Sequence, residues 1–247
     1  TSTLQQEGNR KLGFTSSRTM RAAQQLYEGV DIGGETVGLI SYMRTDSVNL
    51  ANEAINEIRK VIVEQFGSKG LPDEPRYFKA KSKNAQEAHE AIRPTDFRLA
   101  PQQLAGILQA DELRLYELIW KRTMASQMVD ARVLRTTIEI AADGPGGEVA
   151  TFAASGKAIE FAGFRRAYVE GSDDPAAELE EQEAILPQCS VGDRIHTDGT
   201  TGITLLRTEP KRHETTPPAR FTEASLIKEL ERLGIGRPST YAPTIAT

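Results

Sequence analysis

Apolar positions recur at helical spacing through the first half of the chain and alternate with polar ones beyond Val129. Residues 3–12 predict a helix closed by Gly13. A second helix is expected to start after Ser16 or Ser17 as N-cap and to end before Gly29, with Met20, Ala23, Leu26 and Tyr27 on one face. Two helices joined by a short glycine-containing turn resemble the helix-turn-helix arrangement, a pair that many helical bundles also contain. The apolar run 36–41 (TVGLIS) predicts a short strand leading straight into Tyr42. Asp46 or Ser47 then caps an amphipathic helix that buries Ala51, Ala54, Ile55, Ile58, Ile62 and Phe66 and stops at Gly67. Residues 68–83 read as loop. A helix over 85–92 ends at Arg93-Pro94, because the residue before proline is pushed out of the α region. Two more helices are expected over 101–110 and 112–128.

Beyond Val129 the stretches 133–141, 148–155 and 158–161 read as strands between Gly/Pro turns. The acidic run 172–183 reads as a solvated loop. Gly192-Asp193 marks a turn before a strand at 194–197, a further strand covers 202–207, and the proline-bearing stretch 207–219 reads as a linker. Thr222 caps a helix with Ala224, Leu226, Ile227, Leu230 and Leu233 inside and Gly234 closing it, and Ser239 caps another that runs to Thr247. A domain rarely stops inside a starting helix, so the chain is expected to be a piece of a longer protein. The fold class expected is α+β and multidomain. Residues 1–128 form a mainly helical unit with helix-turn-helix or winged-helix-like character, 129–206 a β-rich segment, and 207–247 the start of a further helical domain.

One cysteine in 247 residues excludes an intrachain disulfide and a Cys-based zinc site, and it fits a reducing cytosol. No apolar run approaches the ~18 residues of a membrane span, and no basic-then-apolar leader follows Thr1, so neither a membrane anchor nor a signal peptide is expected. A net charge of −5 argues at first against a nucleic-acid partner. Its distribution reverses that argument. Residues 130–205 hold 6 basic and 14 acidic side chains, whereas 1–99 hold 14 and 13 and 206–247 hold 7 and 5. The acidity is confined to one stretch, and the remainder leaves room for a phosphate-binding face.

Tyr42 is the main candidate for chemistry. A tyrosine hydroxyl can attack phosphorus and conserve phosphodiester energy in a covalent phosphotyrosine. Its ordinary pKa of ~10 means that it needs a nearby cation or base. At the end of an extended segment residues i and i+2 point the same way, so Arg44 can share a phosphate with Tyr42 and steady the crowded oxygens of the transition state. Most tyrosines at strand ends are half-buried packing residues, and spacing alone favours that reading. The run His89-Glu90-Ala91-Ile92-Arg93 lacks the second histidine of a zincin pair, which excludes a zinc protease.

Residues 38–47 (GLISYMRTDS) closely resemble the active-site segment of type IA DNA topoisomerases, in particular the bacterial type I enzymes. Residues 1–7 (TSTLQQE) are similar to the opening of that family's tyrosine domain, and 85–95 (AQEAHEAIRPT) to its histidine-bearing helix. Residues 221–227 (FTEASLI) and 234–241 (GIGRPSTY) resemble the start of the next domain. The four blocks, the last made of the two runs 221–227 and 234–241, stand in the family's order over nearly the whole chain, while 129–206 is matched only by position and strand-rich character. Tyr241-Ala242-Pro243 departs from the family pattern by placing a proline early in the last helix.

The resemblance implies that Tyr42 is the nucleophile, joined to the 5′ phosphate of a broken single strand and leaving a 3′ hydroxyl. It implies that Arg44 positions the scissile phosphate, that His89 contacts a neighbouring phosphate, and that Arg237, Ser239 and Thr240 line a single-strand groove. The β-rich segment would be part of a flexible arch. Mg²⁺ would be held by a preceding Toprim domain and not by this chain, whose Asp173-Asp174 reads as solvated, and the piece alone is expected to be inactive. Zinc ribbons would follow it. The expected partner is single-stranded DNA within negatively supercoiled duplex in the bacterial cytoplasm, at the nucleoid, with no membrane. A reading from another class is a non-catalytic winged-helix-like DNA-binding module with Tyr42 packed structurally. A tyrosine recombinase would need further spaced Arg and His residues, which are missing.

Overall fold

The computed structural model describes residues 1–79, 89–172, 186, 207, 209–212, 214, 215 and 217–246. The expectations for 85–88, for Asp173-Asp174 and the rest of the acidic run, and for the turn and strands between 192 and 206 lie outside the described residues. Helix and sheet are both present. The chain divides into two compact units, one made of Thr1–Val133, Ile159–Glu181 and Phe221–Thr247, the other of Leu134–Ala158 and Gln182–Arg220.

In the first unit α1 (Ser2–Leu12) packs on α2 (Ser16–Glu28), which buries Thr19, Ala22, Ala23 and Leu26. The cap of α2 is Thr15, whose hydroxyl accepts the Arg18 N–H at 3.2 Å. Ser16 is unavailable for that role because its N–H and hydroxyl both donate to Glu223 at 2.7 Å. Tyr27, expected on the buried face of α2, is instead 41% exposed.

β1 (Val30–Ile32) and β2 (Glu35–Val37) form an antiparallel hairpin with Val30 opposite Val37. The strand expected over 36–41 is therefore broken. The Leu39 N–H is diverted to the Leu26 carbonyl at 2.7 Å, and only Ile40 re-forms a bridge, to Pro94.

α3 (Asn52–Phe66) ends at Gly67 and buries Ala54, Ile55, Ile58 and Ile62 as the periodicity predicts; it also buries Val61, while Ala51 and Phe66, expected inside, are half-buried. Its N-cap is Ala51, not Asp46 or Ser47. Ser47 is spent on local turns with Thr45 and Asn49, and Glu90 takes the Ala51 N–H at 2.6 Å. The helix expected over 101–110 is a single 3-10 turn, Pro101–Leu104, and α4 (Ala110–Ser126) begins just beyond it. α4 sends Leu115, Tyr116, Ile119, Trp120 and Met124 into the core. Burying each such side chain stabilises by roughly 1.5–3 kcal/mol. Its aromatics also carry polar handles. The Tyr116 hydroxyl donates to the Leu99 carbonyl at 2.7 Å and the Trp120 indole to that of Phe97 at 3.1 Å, which pins the segment after Pro94.

β3 (Arg132–Asp143) pairs with β4 (Val149–Phe161) in a two-stranded sheet. The separate strands expected at 148–155 and 158–161 are thus one. In the second unit the hairpin turn is closed by Gly144 N–H on the Glu148 carbonyl at 2.7 Å, and the hydroxyls of Thr137 and Ser155 lie 3.3 Å apart. In the first unit, the Phe164 N–H after β4 bonds the Val129 carbonyl at 2.9 Å. Gly163 passes so close to the Asp130 backbone that a Cβ would lie 2.4 Å from its carbonyl oxygen. Further on, the Tyr168 hydroxyl donates to the buried Glu7 carboxylate and accepts from Arg122 at 3.0 Å. Glu7 also takes the Gly171 N–H and pairs with Arg10, so this buried charge is fully partnered.

Thr222 caps α5 (Glu223–Arg232), which lies on α1 with Ala224 and Ile227 buried. Leu233, expected inside, is exposed because the helix has already ended. α6 (Tyr241–Ala246) lies against α2. Thr240, not Ser239, immediately precedes it, and the Thr240 hydroxyl reaches back to the Arg237 N–H at 2.8 Å.

Candidate active site

Two segments far apart in sequence build the platform. Residues 38–41 run alongside 91–95. The Ser41 N–H donates to the Arg93 carbonyl at 2.8 Å and the Thr95 N–H to that of Leu39 at 3.0 Å. The Ser41 hydroxyl donates to the Ala91 carbonyl at 2.8 Å and accepts the Arg93 N–H at 2.9 Å. The Thr95 hydroxyl adds a bond to the Gly38 carbonyl at 2.7 Å. This pairing carries Tyr42 and His89 to one place.

Beyond Ser41 the chain alternates. Tyr42 and Arg44 are exposed, Met43 and Thr45 buried, so the nucleophile candidate and the arginine two residues on share the outward side. The buried side is clamped by Thr1, whose hydroxyl donates to the carbonyls of Met43 at 2.5 Å and Thr45 at 2.8 Å and accepts the Thr45 N–H at 2.9 Å. Among the described residues Arg44 has no ion pair and the Tyr42 hydroxyl no hydrogen bond. The guanidinium is therefore free to meet an anion. The Tyr42 ring packs against His89, with centroids 5.6 Å apart, and against Tyr27, 5.4 Å apart and edge-on.

His89 does not sit on a helix as expected, since residues 89–92 are irregular. Its neighbour Glu90 explains the fold here. One carboxylate oxygen takes the Ala51 N–H, and the other holds the Arg93 guanidinium at 2.7 and 3.0 Å. The first of those bonds ties 89–92 to the start of α3, and the second is a local pair three residues apart.

Arg237, Ser239 and Thr240 are exposed in the turn before α6, within the same unit. Among the described residues they make no hydrogen bond to Tyr42, Arg44 or His89. Before the turn, α5 is tied to α1, where the Ser2 hydroxyl donates to Glu231 at 2.7 Å. After it, the buried Tyr241 phenol is raised above its ordinary pKa by burial and then by the charges of Glu231 and Asp46. Among the described residues no group of three or more His, Cys, Asp or Glu side chains is placed to hold a metal ion. No described helix is long and apolar enough to cross a membrane.

Sequence reasoning passed over Ser41, Glu90 and Tyr27. A serine before the candidate tyrosine and a glutamate after the candidate histidine carry no periodicity that marks them. Their partners lie tens of residues away. Only the place of Tyr27 at the last turn of α2, two residues before Gly29, left a trace.

A family model described as DNA topoisomerase matches residues 1–247. The chain is 49% identical over 248 residues to DNA topoisomerase 1 of Xylella fastidiosa strain Temecula1, covering 100% of this chain and 29% of that protein. It is 52% identical over 249 residues to DNA topoisomerase 1 of Synechococcus elongatus, again over 100% of the chain and 26% of the relative. Among solved structures, full-length topoisomerase I of Thermotoga maritima matches with a TM-score of 0.70 at 35% identity, over 100% of this chain and 36% of that one. The chain thus spans less than a third of the length of these two curated relatives.

Proposed function

Because the chain belongs to the bacterial type IA DNA topoisomerase family, we propose that it is the tyrosine-bearing part of an enzyme that cuts, passes and reseals single strands of DNA. The observation that carries this reading is the shared exposure of Tyr42 and Arg44 on a clamped segment, with His89 against the tyrosine ring. The Tyr42 oxygen attacks the scissile phosphorus. A P–O bond to tyrosine forms as the P–O3′ bond breaks, the phenol proton is lost, and the 3′ oxygen leaves protonated. Arg44 holds the non-bridging oxygens whose charge crowds during the exchange. His89 and the turn of Arg237, Ser239 and Thr240 bind flanking phosphates.

Religation is the reverse step, so the bond energy is conserved and ATP is not needed. The parent enzyme relaxes negatively supercoiled DNA. Mg²⁺ would be held by a Toprim domain outside residues 1–247, where it would supply charge stabilisation, and this piece alone would be inactive. Residues 1–128 make up the tyrosine domain with its winged-helix-like pair and hairpin, 129–206 part of an arch, and 207–247 the start of the groove domain. The arch lets the tyrosine domain lift away and admit the passing strand. The protein works in the cytoplasm at the nucleoid.

The test uses the full-length polypeptide that carries this segment, with Mg²⁺ and a single-stranded oligonucleotide, stopped with denaturant. A label at the 3′ end should migrate with the protein, and a label at the 5′ end should stay on a free fragment. Tyr42→Phe should abolish the adduct. An adduct that persists in Tyr42→Phe, or one that carries the 5′ label, refutes the assignment. DNA binding without any adduct would support the non-catalytic module instead.

A further inference from the structure

We propose that Tyr27 is a positioning residue that holds the Tyr42 ring in its attacking orientation. The inference rests on the reading of Tyr42 as nucleophile. Both rings are about equally open to solvent, at 41% and 39% exposed, so neither is placed by burial in the core. Their centroids are 5.4 Å apart at an interplanar angle of 65°, the edge-on geometry that aromatic pairs favour. His89 closes on the Tyr42 ring at 5.6 Å. No hydrogen bond among the described residues fixes the Tyr42 hydroxyl, so its direction depends on the rings beside it.

The backbone under the pair is rigid. Tyr27 is the penultimate residue of α2, and the Leu39 N–H bonds the adjacent Leu26 carbonyl at 2.7 Å. Gly38 approaches so closely that a Cβ there would lie 2.8 Å from the Tyr27 carbonyl oxygen. The end of α2 and the segment that delivers Tyr42 are therefore in backbone contact, and the spacing of the two rings follows from it. Without Tyr27, the Tyr42 side chain would be free to sample further staggered wells. In-line attack needs the phenol oxygen in one of them.

The experiment compares Tyr27→Ala, Tyr27→Leu and Tyr27→Phe with the wild type in the full-length enzyme. Single-turnover cleavage of a single-stranded oligonucleotide is followed at saturating DNA, with DNA affinity measured separately. Ala and Leu should slow cleavage by roughly tenfold with affinity unchanged, and Phe, which keeps the ring, should restore the rate. A 3-fluorotyrosine at position 42 gives a readout that does not depend on turnover. Its ¹⁹F resonance should shift in the Ala and Leu variants and hold its place in the Phe variant. Unchanged cleavage in Ala and Leu, or an equal loss in Phe, overturns the proposal. Tyr42→Phe runs alongside. If that variant still forms the adduct, the nucleophile assignment has failed, while the fluorine signal still reports whether Tyr27 holds the ring.

Discussion

Replacing Ser41 by alanine should loosen the junction that brings Tyr42 to His89. The hydroxyl makes two bonds across it, one donated to Ala91 and one accepted from Arg93. Each is worth about 1 kcal/mol net, and the backbone groups left behind are only partly reachable by water, so the loss comes to roughly 2 kcal/mol. The backbone bond from Ser41 N–H to the Arg93 carbonyl survives, which caps the damage. For a chain of 247 residues a loss of that size lowers Tm by about 4–8 °C. Urea unfolding followed by circular dichroism gives the free energy. The imidazole NMR signal of His89, one of 3 histidines, reports whether the ring contact loosens. An unfolding midpoint and a His89 signal both unchanged in Ser41→Ala would refute the idea that this side chain joins the two segments.

Other outcomes follow from the packing. Gly163→Ala should destabilise by roughly 2–5 kcal/mol, since its φ of +50° is left-handed and a Cβ would meet the Asp130 backbone at 2.4 Å. Urea unfolding checks this, and an unshifted midpoint would contradict it. Alkali should unfold the chain through Tyr116 and Tyr168. Burial, with Asp96 near the first and the Glu7 hydrogen bond on the second, raises both phenols above their ordinary value. The neutral forms are favoured in the fold, so their stabilisation is complete below about pH 10 and is lost as pH rises through the raised values. Absorbance at 295 nm should therefore show part of the phenolate appearing only as helix is lost. Full ionisation with helix intact would be the contrary result.

The sequence by itself determined the helices whose burial is periodic. α2 and α3 end at the glycines, and α5 begins at the threonine, that flank their apolar stripes, because such a stripe needs no distant partner to be recognisable; α1 also ends at Gly13 but buries Ser2, Gln5, Gln6, Glu7 and Gly8 instead of a stripe. It also determined the order of the four motif blocks and the outward placement of Arg44 two residues after Tyr42. Tertiary structure alone decided the rest. Residues 89–92 would suit a helix locally, yet they are irregular because 91–95 pairs with 38–41 and Glu90 bonds Ala51 and Arg93. The N-cap of α3 is Ala51, whose N–H goes to that same glutamate 39 residues away, where local capping rules looked to Asp46 and Ser47. Tyr27 is drawn off the core face of α2 by a ring 15 positions later. Each of these depends on hydrogen bonds and ring contacts between segments that meet only after the chain has folded, and periodicity along one segment holds no record of them.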